Sequence, residues 1–482
     1  MQRLSTTDAS FLYTESVSGP MHISSTIIVE GELPFEQIVA HFESRLPRLP
    51  AYRRKLAQTP LNVAHPVWVD ATDFDLSQHL IHHDLGAGST IDEAVAESTR
   101  LNEVILDRSR PLWRVHVLTG VPDRTVLLLG THHAMVDGAS GVEMLAIIFD
   151  FDSDYESEAV VDDWEPKPEP SPLDLFSRAM SENLQALGEA DFSTLWPGSE
   201  RGQKLANRAA RIASNFLGRP AITASFNAGI VGPGRNLAWL RVPLDEIREI
   251  RRGLSGTVND VVLTVVSEAV SRYLADHDEP VDEGLIRIMC PVNVRTETQQ
   301  GALGNQVSAL FPMLPAWPMP VAKRMATVVG EMERIKSAGE AQVLTLLQQS
   351  VPEPWPVMLW PTQLVGGPLD PTAMAANLPR PTLPTGFRPP NPGLNFVCTN
   401  VPGSQVPQYL CGHKVLDQIG MLVLSGNLGL GTTITSYNRQ LYFSFICEPE
   451  LMPDVERLRE HTADAYAELL AAAQERIAQA AR

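Results

Sequence analysis

Two adjacent histidines followed by an aspartate and a glycine are the residues of this sequence best suited to chemistry. They occur in the run His132-His133-Ala134-Met135-Val136-Asp137-Gly138. An unperturbed imidazole has a pKa of about 6.5 and exchanges protons near neutral pH. On a tight loop only one ring can easily face a cleft, and the glycine lets the chain turn sharply. The pattern indicates a general base, with the aspartate as an anchor that holds the loop through an ion pair.

A purely structural interpretation of the pair stays open, because histidines at a loop are often satisfied by ordinary hydrogen bonds. The chain contains a natural control, Ile81-His82-His83-Asp84, which lacks both the aspartate spacing and the glycine and is interpreted as structural. His79 and His83 have the spacing of a zinc protease helix, but Leu80 stands where glutamate is needed, so we expect no metal. The chain has no G-x-S-x-G nucleophile elbow.

The elements around the histidine pair favour a strand-to-helix loop. Strand-like runs at 112–118 and 126–130 precede the pair. Val142, Leu145 and Phe149 follow it at the spacing of a buried helix face. Further strands and helices alternate along the chain, including helices predicted near 35–45 and at 91–102, so the predicted class is mixed α/β.

Length and composition favour two domains. A chain of 482 residues exceeds the size of one ordinary core. An acidic, proline-rich stretch at 150–174 is typical of a linker. We therefore predict an N-terminal domain at 1–155, a linker plus helix at 156–215 and a C-terminal domain at 216–482. A proline-rich insertion at 351–392 is either a lid or a solvated loop.

Charge and patterning exclude several classes of protein. A net charge of −19 argues against nucleic-acid binding. No apolar run reaches the ~18 residues needed to span a bilayer, and the first residues are polar, so a cytoplasmic location is expected. The four cysteines have no C-x-x-C spacing and are expected to be reduced packing residues.

The histidine motif resembles the H-H-x-x-x-D-G motif of the CoA-dependent acyltransferase superfamily. Other segments narrow the resemblance to the bacterial wax ester synthase/diacylglycerol acyltransferase family over nearly the whole chain. These segments are Asp8-Ala9-Ser10-Phe11-Leu12, Pro20-Met21-His22, Pro111-Leu112-Trp113, Val258-Asn259-Asp260-Val261-Val262-Leu263, Pro291-Val292-Asn293-Val294-Arg295 and Thr399-Asn400-Val401-Pro402-Gly403.

The resemblance implies a fold and a reaction. Two chloramphenicol-acetyltransferase-like domains would enclose a tunnel that acyl-CoA enters from one side and a lipid alcohol from the other. His133 would be the general base and His132 its support, with direct acyl transfer and no acyl-enzyme. Asp137 would pair with Arg295, or else Arg114, and Gly138 would shape the loop. Acyl-CoA is a substrate, and no cofactor is expected.

The same resemblance suggests substrate-binding residues and products. Trp113, Asn259 and Asp260 lie in matching segments and are predicted to contact substrate. Asn259 has the alternative role of a helix N-cap. The products would be triacylglycerol, from diacylglycerol, or wax esters, from long-chain alcohols, which places the chain in lipid and triacylglycerol biosynthesis and glycerol metabolism.

Two other functions stay open, together with the place of action. One is a condensation-type or polyketide-associated acyltransferase that uses a carrier-bound acyl group, and the other is a non-catalytic lipid-droplet-binding protein. Peripheral contact with the inner membrane face or lipid inclusions is predicted through a helix at 204–216, on which Lys204, Arg208 and Arg211 share one face. Packing of that helix on the body of the protein is the alternative.

Overall fold

The chain forms an α/β protein built on two large mixed sheets. The computed structural model describes residues 1–136, 138–154, 162–189, 198–200, 202–204, 206–207, 210, 218–230, 232–293, 307–338 and 393–481. Strands and helices alternate in both halves of the chain, which confirms the predicted class. Within these residues, no helix is both long and apolar enough to cross a bilayer.

The first large sheet carries the histidine pair. With strands numbered along the chain, its spatial order is β13 (Tyr409–Leu410), β14 (His413–Met421), β2 (His22–Glu30), β7 (Arg124–His132), β6 (Trp113–Thr119) and β5 (Leu80–Asp84). β5 and β6 run parallel, and the other neighbours are antiparallel. Because successive side chains of a strand point to opposite faces, Ile27 and Ile28 of β2 enter different cores.

Helices cover both faces of the first sheet. On the Ile27 face lie α1 (Thr6–Thr14), α2 (Phe35–Arg45) and α4 (Gly138–Ile148), which pack with β2 and β7 in one core. On the Ile28 face lies α3 (Ile91–Leu101), whose Ala94, Val95 and Leu101 pack against Leu128. The sheet is therefore buried on both faces, and the histidine pair lies at the end of one of its strands.

A small sheet and a charged segment cover one flank of this half. The small sheet has the order β1 (Gln2–Arg3), β4 (Val67–Asp70) and β3 (Arg54–Ala57). The acidic segment predicted as a linker lies against it. Arg53 donates two hydrogen bonds of 2.7 Å to Asp162, and Lys55 Nζ lies 3.2 Å from a Glu169 oxygen. Residues 162–170 therefore act as a strap on the first half and not as a free linker, and α5 (Pro172–Glu189) follows.

The second large sheet forms the other half of the protein. Its spatial order is β10 (Val307–Leu310), β9 (Leu285–Asn293), β12 (Phe396–Pro402), β15 (Leu430–Tyr437), β16 (Gln440–Cys447) and β8 (Asn236–Pro243), with β11 (Met313–Pro315) also paired to β9. Its core includes α6 (Leu244–Leu254), α7 (Val258–Asp276), α8 (Val321–Ala338) and α9 (Val455–Ala480). Nearly every residue of α7 from Val261 to Leu274 is buried, including the polar Thr264, Ser267 and Glu268, so the helix lies inside this core.

A segment from the second half of the sequence completes the first sheet. β14 pairs with β2 in antiparallel register, with Met421 opposite Ser24. It also contacts the second sheet, because the Thr435 hydroxyl of β15 donates to the Gln418 carbonyl of β14 at 3.2 Å. The predicted division assigns all of 216–482 to the second domain, whereas residues 409–421 extend the first sheet.

The described elements lie close to their predicted positions. α2 has the expected bounds, and α3 ends one residue before the predicted limit at Asn102.

Cys290, Cys398 and Cys447 are buried and Cys411 is half-buried, and all four are free thiols. Asp137, Arg295, the insertion at 351–392 and most of the predicted helix at 204–216 lie outside the described residues.

Candidate active site

The histidine pair lies where β7 ends. His132 is the last residue of the strand and is opposite His22 of β2. The Met135 N–H donates to the His132 carbonyl at 2.8 Å, which forms a turn, and α4 begins at Gly138. This confirms the predicted strand-to-helix position.

His132 is fully buried, and both of its ring nitrogens face protein groups. The Ala134 N–H donates to Nδ1 at 3.0 Å, so the ring carries its proton on Nε2. Nε2 lies 3.3 Å from a Glu15 carboxylate oxygen, and the side chain of His132 is 0% exposed. A ring held in this way has no nitrogen available to a substrate hydroxyl.

Glu15 is a site residue that the sequence did not reveal. Its carboxylate accepts from the Met21 N–H at 3.0 Å and from Arg108 Nη2 at 2.9 Å, in addition to its contact with His132. Burial by itself raises the pKa of this carboxyl, but the contact with the His132 ring, the hydrogen bond from the Met21 N–H and the charge of Arg108 together lower its pKa to about 2. Glu15 is therefore charged near neutral pH.

His133 is oriented by residues of the same N-terminal segment that contains Glu15, but it stays partly exposed. Its ring stacks on Phe11 of α1, with the centroids 3.9 Å apart and the planes 5° from parallel. Its backbone N–H donates to the Met21 carbonyl at 2.8 Å. The ring plane and the backbone of His133 are thus both fixed, and the residue remains partly exposed although ring Nδ1 is buried.

One N-terminal segment holds both histidines. Ser5 caps α1 and accepts from the Asp8 N–H at 3.1 Å. α1 then presents Phe11, and the turn after it presents Glu15 and Met21. The segments 8–12 and 20–22 contain Phe11 and Met21. In the sequence these segments served only to identify the family, and they did not indicate that either residue lies beside the histidine loop.

His22 is a third histidine beside the pair, and it is held neutral. Its Nε2 donates to the Asn102 carbonyl at 2.6 Å. Burial lowers the pKa of His22 to about 4, even though that hydrogen bond acts in the opposite direction. A neutral His22 therefore places no positive charge next to His132 from β2 near neutral pH.

Trp113 was predicted to contact substrate, and the structure places its side chain in the core of the first half. It is buried in the first half, and its Nε1 donates to the Tyr52 carbonyl at 2.8 Å. The indole also stacks on the imidazole of His79, with centroids 4.4 Å apart. The family segment containing Trp113 therefore supports the strand next to the site.

Asp260 and Asn259 lie at the start of α7 in the second half. The Asp260 carboxylate accepts from the Thr257 N–H and hydroxyl, both at 2.8 Å, while the Thr257 hydroxyl accepts from the Asp260 N–H at 3.2 Å. This reciprocal pattern is a capping box with Thr257 as the N-cap. The alternative role of Asn259 as the N-cap is therefore wrong, and the described contacts of Asp260 are those of a helix start.

Of the two predicted ion-pair partners of Asp137, only Arg114 lies among the described residues. Arg295 and Asp137 both lie outside the described residues. Arg114, the second candidate, donates to the Val104 carbonyl at 3.1 Å, and among the described residues it forms no ion pair. Burial lowers the pKa of Arg114. The pairing of Asp137 stays a prediction.

The second histidine pair, His82 and His83, and the nearby His79 make contacts within the first sheet. His83 Nε2 lies 2.7 Å from His116 Nδ1, and His82 Nε2 lies 2.9 Å from the Thr119 hydroxyl. His79 Nδ1 donates to the Trp113 carbonyl at 2.8 Å. These strand contacts agree with a structural role for the second pair.

The arrangement can perform proton transfer at one position. His133 combines a fixed ring with partial exposure, whereas His132 accepts from the Ala134 N–H through Nδ1 and places Nε2 beside Glu15. A fixed, accessible imidazole is suited to remove a proton from a hydroxyl and to return it later.

Comparison with protein families identifies similarity over most of the chain. Residues 4–262 match the wax ester synthase/diacylglycerol acyltransferase catalytic domain, and residues 303–470 match the C-terminal domain of the same group. A putative diacylglycerol O-acyltransferase of Mycobacterium tuberculosis (strain CDC 1551 / Oshkosh) is 27% identical over 98% of this chain and 90% of its own length. A probable diacylglycerol O-acyltransferase of strain H37Rv is 27% identical over 99% and 97%.

Solved structures share the fold. A wax ester synthase/diacylglycerol acyltransferase from Marinobacter aquaeolei VT8 superposes with a TM-score of 0.65 at 20% identity, covering 98% of this chain and 100% of that one. The starter condensation domain of rhizomide synthetase gives 0.58 at 14% identity, covering 98% and 94%. Both similarities confirm the predicted two-domain architecture.

Proposed function

Because the chain belongs to the wax ester synthase/diacylglycerol acyltransferase family, we propose that it transfers a fatty acyl group from acyl-CoA to the hydroxyl of a lipid alcohol. Diacylglycerol is the first acceptor to test, since the relatives compared above are named diacylglycerol O-acyltransferases. The observation that carries the proposal is the partly exposed His133, which is stacked on Phe11 beside a buried His132. The comparisons do not favour a carrier-dependent acyltransferase or a non-catalytic lipid-droplet protein.

In the proposed mechanism His133 acts as base and then as acid. Its neutral ring removes the proton of the acceptor hydroxyl while the oxygen attacks the thioester carbonyl carbon. The carbon–sulfur bond then breaks, and the CoA thiolate takes the proton back from His133. A thiol pKa near the ~8.5 of cysteine makes this return favourable at neutral pH. The products are the ester and CoA, with no cofactor and no acyl-enzyme.

The remaining groups of the site position His133. His132, tied to Glu15 and to the Ala134 N–H, keeps the turn closed. Phe11 limits rotation of the His133 ring, and the Met21 carbonyl fixes its backbone. Such positioning matters because an imidazole displaced by even 1 Å loses much of its catalytic effect. Within this proposal the enzyme works in the cytoplasm, in contact with the inner membrane face or lipid inclusions, where its acceptor is found.

The test is release of CoA from palmitoyl-CoA with diacylglycerol, with hexadecanol or with no acceptor. We expect release that depends on an acceptor, and the ratio of the two rates identifies the preferred alcohol. Radiolabelled acyl-CoA without acceptor should leave no label on the denatured protein. Stoichiometric covalent label, or equal release with and without acceptor, would contradict direct transfer.

A further inference from the structure

A turn in the first half supports both histidines, and an arginine from the second half is bonded to its middle. Residues 15–21, which we call the supporting turn, provide the carboxylate beside His132 and the carbonyl that accepts from the His133 N–H. Arg235 directly precedes β8, and its Nη2 donates to the Ser18 carbonyl at 2.6 Å. The second half therefore contacts the supporting turn midway between the two groups that meet the histidine pair.

The supporting turn is closed by its own hydrogen bonds. The Gly19 N–H donates to the Ser16 carbonyl at 2.9 Å, and the Ser16 N–H donates to the Gly19 carbonyl at 3.2 Å. Gly19 also lies against the segment between β14 and β15, because a Cβ at this position would be 3.3 Å from the Leu424 carbonyl. Since the two reciprocal bonds enclose Ser18, a displacement of Ser18 moves the supporting turn as a unit.

The guanidinium of Arg235 is buried and bonded to backbone carbonyls. The residue is 9% exposed, and Nη1 donates to the carbonyls of Gly232 and Gly234 at 2.9 and 2.7 Å. A buried charge needs hydrogen bonds that replace its lost hydration, and three carbonyls provide them here. Because the planar guanidinium presents its donors at fixed angles, these bonds hold Ser18 at a set distance from the start of β8.

The backbone of Arg235 contacts the other support of the histidine pair. Its N–H donates to Glu103 Oε1 at 3.0 Å. The carbonyl of the neighbouring Asn102 accepts from His22, which is opposite His132 in the pairing of β2 with β7. His22, Asn102, Glu103 and Arg235 also line one small cavity. Arg235 is thus connected to both neighbours of His132, the supporting turn and β2.

We propose that Arg235 is a positioning residue through which the second half sets the orientation of His133. Arg235 fixes the supporting turn, and the Met21 carbonyl of that turn fixes the backbone of His133. The base is then aligned for proton transfer only while the second half is seated at this junction. The inference rests on the function proposed above, because it needs His133 to be the base.

A second arginine joins the halves without a bond to the supporting turn among its described contacts. Arg241 of β8 forms an ion pair with Asp417 of β14, the strand that extends the first sheet. Both arginines therefore connect the β8 segment with the first sheet, but they bond to different parts of it. Arg241 is the matched control for a contact that only holds the halves together.

The kinetic test compares Arg235→Met with Arg241→Met. Arg235→Met keeps a long side chain but removes the guanidinium bonds, and it should lower kcat about tenfold, because a small displacement of the base strongly affects the rate. The KM values for diacylglycerol and palmitoyl-CoA should change less than about twofold, since Arg235 bonds to backbone groups. Arg241→Met should keep the wild-type kcat. Arg235→Lys, which retains the charge but not the planar fork, should lose about threefold.

Hydrogen exchange tests the same coupling without turnover. In Arg235→Met the backbone N–H groups of Met21 and His133 should exchange several times faster than in wild type, because both hydrogen bonds depend on the supporting turn. Arg241→Met should leave their exchange unchanged. Wild-type protein that releases no CoA with any alcohol would refute the proposed function itself, whereas exchange would still decide whether Arg235 holds the supporting turn.

Several results would overturn the inference. One is a wild-type kcat in Arg235→Met or, if that variant does not fold, in Arg235→Lys. Equal losses of kcat in Arg235→Met and Arg241→Met would indicate a general loosening of the two halves instead. A raised KM at unchanged kcat would place Arg235 at the substrate, and wild-type exchange at Met21 and His133 would show that the supporting turn does not depend on it.

Discussion

At the scale of single residues, two neighbours of the same type have different environments. His132 is buried with Nδ1 accepting from Ala134 and Nε2 beside Glu15, and His133 is partly exposed and stacked on Phe11. The difference follows from the strand, because successive residues at its end point in opposite directions. One histidine can therefore hold the loop while the other meets the substrate.

The first prediction separates these two roles by substitution. His133→Ala should lower turnover by about 10² to 10⁴-fold, the usual contribution of general-base catalysis, with little change in melting temperature. His132→Ala should lower turnover less but destabilise the fold by about 1 to 3 kcal/mol, because it removes one polar neighbour of the buried Glu15 carboxylate and leaves a cavity. Steady-state kinetics and thermal unfolding of both variants provide the measurements. Near-normal turnover of His133→Ala would remove it as the base.

The second prediction concerns the pH dependence of stability. The folded-state pKa of Glu15 is about 2, below its ordinary value of 4.5. A depressed carboxyl pKa stabilises the fold above the unfolded value, and this stabilisation is lost as the pH falls from about 4.5 toward 2. Glu15→Gln should reduce the free energy of unfolding at neutral pH. It should also make that free energy fall less steeply as the pH drops below about 4.5. Urea unfolding between pH 3 and pH 7 tests this, with exposed Glu43→Gln as the control.

At the scale of elements, α1 and the turn after it form the support of the site. The helix supplies Phe11, and the turn supplies Glu15 and the Met21 backbone. Arg108, which follows α3, reaches Glu15 and also donates to the Leu12 carbonyl at 2.6 Å. Two segments far apart in sequence thus fix one carboxylate.

The third prediction tests the stacking contact. Phe11→Ala should lower kcat about fivefold, since an aromatic pair contributes about 1 kcal/mol and a 1.4 kcal/mol change is a factor of ten. KM values should change little, because the ring positions the base and does not hold the substrate. Phe11→Tyr keeps the stack and should retain activity. Equal loss in both variants would indicate a steric role at the substrate instead.

The fourth prediction concerns the start of α7. Thr257→Ala removes the capping box and should cost about 1 kcal/mol of stability. Asn259→Ala should leave the melting temperature unchanged because Thr257 is the cap. A slower turnover of Asn259→Ala at normal stability would support its predicted contact with substrate, and a lowered melting temperature would contradict the assignment of the cap.

At the scale of the whole molecule, β14 joins the two halves. It extends the first sheet through β2 and contacts β15 of the second sheet. Gly420 allows the close approach, because a Cβ at that position would lie 2.7 Å from Thr433 Cγ2. The relative position of the sheets therefore depends on a residue without a side chain.

The fifth prediction uses this contact. Gly420→Ala should lower the melting temperature by several degrees, as overpacking typically costs about 1 to 3 kcal/mol. Thr433→Ser removes the opposing methyl group and should recover part of the loss in the double variant. Calorimetry of the single and double variants measures both effects. Additive destabilisation without recovery would show that the two side chains do not meet.

The sequence by itself determined the elements and the position of the histidine motif. The alternation of apolar residues is a local property, so the strands before the pair and the helix after it were predicted close to their observed bounds. The same holds for α2, which was predicted near 35–45 and spans Phe35–Arg45. The reaction class was implied by the family resemblance of the motif together with the other matching segments.

Only the tertiary structure decided which side chains meet. Glu15 and Phe11 reach the histidines because α1 packs beside the end of β7, and no local pattern encodes that contact. Trp113 was assigned to the substrate because a sequence motif does not show which face of a strand is buried. The strap at 162–170 and the addition of β14 to the first sheet likewise depend on pairing between distant segments. Such pairing is selected by the energy of the complete fold and not by the residues on either side.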